Sequence, residues 1–149
     1  MNEPRRRRLG AVQGALLLAG VLLSMSCSSK DQRPELFPVQ GQLFLERKPA
    51  HNAIVWFHPA IASGKGCPRP HATVKEDGSF EVGTLKSNDG APAGRYKLTV
   101  IWRAPAKSGD EDGASLIPLR YMEPEKSGLP VVEVAAGPTT LPPINLSKR

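Results

Sequence analysis

Few side chains in this 149-residue chain have the types and spacing that chemistry needs. Three histidines, His51, His58 and His71, flank a Gly- and Pro-rich stretch that contains Cys67. Imidazole and thiolate are zinc and copper ligands, but no pair here has a ligand spacing such as C-x-x-C or H-x-x-x-H. Scattered histidines of this kind more often serve turns and surfaces, so no metal is expected. Cys67 lies between Gly66 and Pro68 with no histidine or charge pattern that would lower its pKa, which reads as an unreactive thiol. The run Asp110-Glu111-Asp112 offers oxygens to a hard cation, yet a calcium loop supplies more of them at fixed steps. A solvated acidic loop is the simpler reading.

Catalysis finds little support in the residues. There is no G-x-S-x-G, no H-E-x-x-H and no G-x-x-x-x-G-K-[ST]. The Gly-Lys pair in "ASGKG" lacks the upstream glycine and the following hydroxyl. The chain is read as non-enzymatic and without a cofactor. Sugar recognition needs exposed aromatic rings beside hydrogen-bonding groups. Trp102 faces inward by alternation, whereas Trp56 shares a strand face with Ile54 and His58. Trp56, His58 and His71 are therefore the candidate ligand-binding residues.

Cys27 is different, because its setting names its chemistry. Arg5 to Arg8 form a basic start, Leu9 to Met25 form an apolar run, and Ser24-Met25-Ser26 is a small-x-small cleavage pattern. This is the layout of a secretory signal, residues 1–26. The same residues are similar to a bacterial lipobox, with Ser26 before a cysteine that would receive a diacylglycerol thioether. Ser24 departs from that pattern, since Leu23 sits one place earlier than usual. Cys27 is expected to be the lipid anchor. An ordinary cut would instead release a soluble product, and a Cys27–Cys67 disulfide would then be open. Arg7-Arg8-Leu9 is an incomplete twin-arginine pattern.

Without residues 1–26 the chain has 123 residues, one domain by length, enough for a single core. Its charge falls from +6 to +3, with 16 basic against 13 acidic residues. A dispersed charge of that size is no footprint for nucleic acid. Residues 27–37 read as the modified cysteine and a polar tether; ten extended residues span about 35 Å.

From Val39 the apolar period is two. Val39, Gly41, Leu43 and Leu45 share one face, and "AIVWFH" at 53–58 is a short apolar strand. "HATVKEDGSFEV" reads as a hairpin turning on Asp77-Gly78 in a type I′ turn, with Ala72, Val74, Phe80 and Val82 inward. "GRYKLTVIWR" at 94–103 alternates Tyr96, Leu98, Val100 and Trp102 against Arg95, Lys97, Thr99 and Arg103. Strands are also expected in 130–135 and 144–146, and "LRYMEPEKSGL" reads as a turn or short helical stretch. Seven short strands with Gly- and Pro-rich connections predict an all-β sandwich. Residues 59–70 and 104–118 are the long loops.

The order of these pieces resembles a known family. Gly41 in the first strand, Asp77-Gly78-Ser79-Phe80, Gly94 with Tyr96, and Tyr121…Pro124…Ser127-Gly128-Leu129 resemble the carboxypeptidase regulatory-like, or transthyretin-like, domains of short predicted bacterial lipoproteins. The resemblance spans residues 38–147 and implies a seven-stranded antiparallel Greek-key sandwich of the prealbumin type. It implies no fixed activity. Transthyretin-related hydrolases end in Tyr-Arg-Gly-Ser, whereas this chain ends "INLSKR". Intradiol dioxygenases place two Tyr before two His; here His58 and His71 precede Tyr96 and Tyr121.

The expectation is an exported lipoprotein, held through Cys27 to the bacterial cell membrane or outer membrane, with its domain in the periplasm or at the surface. The domain would be a non-catalytic binding or structural module. Its partners would be membrane lipid and an envelope protein or polysaccharide. The alternatives are a soluble periplasmic carbohydrate- or metal-binding sandwich and, further off, a transthyretin-related hydrolase.

Overall fold

Alternating apolar residues need two covered faces, and the chain provides them by folding strand against strand. The computed structural model describes residues 34–60, 68–106 and 113–149. The strands are β1 (Leu36–Phe37), β2 (Val39–Leu45), β3 (Lys48–Pro49), β4 (Ile54–Pro59), β5 (His71–Thr73), β6 (Ser79–Glu81), β7 (Ala91–Pro92), β8 (Gly94–Ile101), β9 (Val132–Val134), β10 (Thr139–Thr140) and β11 (Ile144–Leu146). One 3-10 turn covers Leu119–Met122. Seven of the strands run three residues or more. The described chain is all-β, with several sheets that fit a β-sandwich.

The first sheet is built on β2. β6 and β3 pair antiparallel with one edge of it, and β10 and β11 pair parallel with the other. The second sheet runs β5-β4-β8-β9, antiparallel throughout. β1 pairs with β7 in a small ribbon, so Leu36 and Phe37, read above as the end of the tether, are part of the folded structure. Val39, Leu43 and Leu45 from the first sheet and Val55, Phe57, Leu98 and Val100 from the second join one core. A bridge between His71 and Gly83 links the two sheets at the β5–β6 corner.

Two expectations change. The sheets are not purely antiparallel, because the chain leaves β9, crosses to the open edge of β2 and enters it at the Val39 end. Entering at that end makes the run parallel. Pro142 and Pro143 bring no N–H to this edge, and the ladder breaks there into β10 and β11. The hairpin at Asp77-Gly78 is also not a two-residue type I′ turn. Gly78 N–H donates to Lys75 O at 3.0 Å and Lys75 N–H to Ser79 O at 2.8 Å, with only Gly78 of the pair at positive φ, +85°. That is a three-residue loop closed by a glycine bulge. The Asp77 carboxylate accepts from both the N–H and the hydroxyl of Ser79, which holds its carboxyl below the ordinary range.

The 3-10 turn packs beside β8. The Tyr121 hydroxyl accepts the Ser147 N–H at 3.0 Å and so ties this turn to the end of the chain beyond β11. Tyr96 donates its hydroxyl to Pro92 O at 2.8 Å, fixing the entry into β8. Among the described residues, no helix is long and apolar enough to cross a membrane.

Candidate functional site

β4 positions the candidate residues by simple alternation. Val55 and Phe57 turn inward and are fully buried, so Ile54, Trp56 and His58 must occupy the outer face of the second sheet. Register then sets their neighbours: Trp56 lies opposite His71 of β5 and Thr99 of β8, and His58 lies opposite Lys97. Trp56 and His71 stack, with ring centroids 4.8 Å apart and planes at 26°. Trp56, His58 and His71 therefore do share one sheet face.

The two histidines are held differently. His58 Nε2 shares a 2.8 Å hydrogen bond with the Thr99 hydroxyl, and Thr99 is buried at 2% exposure. Burial, and after it the positive charge of Arg69, lowers the His58 pKa below 6.5. His71 is exposed, and its Nδ1 reaches the Arg69 carbonyl at a long 3.4 Å. A carbonyl only accepts, so Nδ1 carries the hydrogen and a neutral His71 keeps Nε2 as an acceptor. Lys97 donates to both carboxylate oxygens of Glu125 at 2.7 Å, an exposed pair of small energetic value.

Among the described residues, no group of three or more His, Cys, Asp or Glu side chains is placed to hold a metal ion. His51 sits exposed in the turn before β4. Cys27, Cys67 and Asp110 to Asp112 lie outside the described residues. Trp102 falls just beyond β8 and packs partly buried against the core; it also lines an open depression with Leu116 and Leu45.

Beside His71 the structure adds a feature that periodicity does not reveal. Residues 83–90 form a tight loop organised by Asp89. Its carboxylate accepts the N–H groups of Thr84 (2.6 Å), Lys86 (2.8 Å) and Leu85 (3.1 Å). Burial pushes the Asp89 pKa upward, and the three N–H bonds outweigh it, so the carboxyl lies below its ordinary range. Thr84 donates its hydroxyl to Gly90 O at 2.6 Å. This loop and the β5–β6 corner enclose an open depression of about 390 Å³, lined by His71, Thr73, Glu81, Lys86, Ser87 and Asn88. The sequence signal was Thr84 followed five residues later by Asp89-Gly90, a capped-loop pattern.

The fold and this polar, aromatic-backed face define an all-β module with a candidate binding surface. No family model matches the chain, and no curated protein matches it. Two solved structures are similar to it. One is a DUF3823 family protein from Bacteroides ovatus ATCC 8483, with 16% identity over 74% of this chain and 44% of that one, TM-score 0.40. The other is a 9R-lipoxygenase from Cyanothece PCC8801, with 17% identity over 79% of this chain and 18% of that one, TM-score 0.39. The chain thus spans less than half the length of either.

Proposed function

We propose that this protein is an exported lipoprotein whose β-domain is a non-catalytic binding module of the bacterial cell envelope. Signal cleavage before Cys27, and lipid on that cysteine, would hold the domain to a membrane; acyl chains contribute about 0.8 kcal/mol per buried CH₂. The observation that carries the binding role is the outer face of the second sheet, where Trp56 stacks on His71 beside the His58–Thr99 pair. Large rings left half-covered on a sheet face, next to hydrogen-bonding groups, are what a ligand surface needs. Both imidazoles also have partners within the fold, which suits recognition better than proton transfer or metal binding.

In this reading the seven longer strands form a prealbumin-like Greek-key sandwich of the carboxypeptidase regulatory-like type. Membrane fractionation tests the anchoring. The wild-type chain is expected in the membrane pellet and released only by detergent, whereas Cys27→Ala is expected as an uncleaved precursor or in the soluble fraction. Equal distribution of both proteins would sink the anchor and leave a soluble periplasmic binder.

A further inference from the structure

The depression beside His71 does not end at the 83–90 loop. Glu81 lines it and also lines two neighbouring depressions of about 190 and 500 Å³ over the outer face of the first sheet. Asn88 is shared by the first two, and Gln40 and Thr140 by the last two. Together they make one shallow groove that runs from His71 across β6 and β2 to β10.

Its lining is unusual in kind. Its polar groups are mostly amides and hydroxyls set among apolar side chains such as Leu85, Pro138 and Pro143, and among the described residues the side chains of Gln42, Thr73, Ser87 and Asn88 have no hydrogen-bond partner. Such groups both donate and accept. The groove carries little charge: Glu81 is paired with Lys75 at 2.5 Å, which leaves Lys86 as its one unpaired cation among the described residues. An aromatic group closes one end, since Trp56 covers one face of His71 while His71 itself lines the groove. The walls are fixed. A Cβ at Gly83 would lie 2.3 Å from Lys86 O, so the loop packs directly against its own start, and Asp89 holds its backbone.

We infer that this groove binds a neutral oligosaccharide or polysaccharide chain, with one sugar ring on the His71 face and the following units hydrogen-bonded along Asn88, Gln40 and Gln42. The inference rests on the binding-module reading and gives that module its ligand class. Sugar hydroxyls donate and accept, as do the groups that line the groove, and a pyranose face is apolar enough to stack on an imidazole. Acidic polymers need clustered Arg or Lys, and the groove has a single free lysine.

The test is to probe the processed full-length protein, in detergent, with an array of short oligosaccharides. Neutral chains of glucose, galactose, mannose and N-acetylglucosamine stand beside acidic chains of uronic acids, and extracted envelope proteins are assayed in parallel. At least one neutral chain is expected to bind. His71→Ala and Gln42→Ala should each weaken it about tenfold, the loss of one stacking face or one hydrogen bond. His71→Phe should keep affinity within a few-fold. Gln42 is exposed, so its variant remains informative if His71→Ala does not fold. Binding only to acidic chains, or neutral binding untouched by both alanine variants, would overturn the inference. Specific retention of an envelope protein with no sugar bound would overturn it too, while leaving the binding module standing. Retention of nothing would remove both.

Discussion

His58 and His71 share one sheet face and have opposite surroundings. His71 is exposed at the rim of the groove, while His58 is half-buried and bonded to Thr99. Burial first and Arg69 second keep the His58 imidazole neutral below its ordinary pKa of 6.5. The unfolded chain therefore binds this proton more readily than the folded one. Stability from this group is complete above pH 6.5 and is lost as the pH falls through the lower, folded-state value. An NMR titration should place the His58 midpoint below 6.5 and move it upward in Arg69→Ala. A midpoint at or above 6.5 would show that the ring is solvated as a surface histidine. Alternation placed Trp56 and His58 on one strand face, and His71 joined the candidate set only as a neighbouring histidine. Nothing local could reveal that His71 lies opposite Trp56, because that register depends on where two strands meet across a loop.

At the scale of elements, period-two patterning found the longer strands and their inward faces, since alternation reports burial directly. Val39, Leu43, Val74, Phe80, Val82, Leu98 and Val100 are all buried as expected. Turn chemistry was read less well. The tight two-residue turn lies at Glu46-Arg47, with both residues at positive φ (48° and 66°), and neither type advertises it. It is held from outside. Arg47 N–H donates to the Asn145 side chain at 3.2 Å and Glu46 accepts the Lys148 N–H at 3.0 Å. Arg47→Gly should relieve left-handed strain and raise stability by about 1 kcal/mol, and Arg47→Val should lower it by a similar amount. Denaturant midpoints would check both; a loss in the glycine variant would mean that the turn carries no strain. Gly41 makes a second case. A Cβ there would sit 2.5 Å from Phe80 Cζ, its cross-strand partner, so the glycine makes room for the ring. Gly41→Ala should cost about 1–3 kcal/mol, and Phe80→Leu in the same chain should recover part of it. Simple additivity of the two losses would contradict the steric account.

For the molecule as a whole, the parallel return of β10 and β11 was beyond the reach of local pattern, because a strand's direction depends on the end of β2 at which the chain enters the sheet. The all-β class was legible, since strand-length apolar segments between Gly- and Pro-rich connections leave little else to form. The groove was not, for its residues come from four strands and a loop that only the fold brings together. The domain that presents it is joined through a short polar stretch to Cys27, and the central claim is that lipid on this cysteine turns a small sandwich into an envelope-bound module. The intact mass of the mature protein isolated from membranes tests that claim most directly. A chain beginning at Cys27 and heavier by a diacylglyceryl group, with or without a further acyl chain, is the predicted result. A chain beginning at Cys27 with no added mass would contradict it.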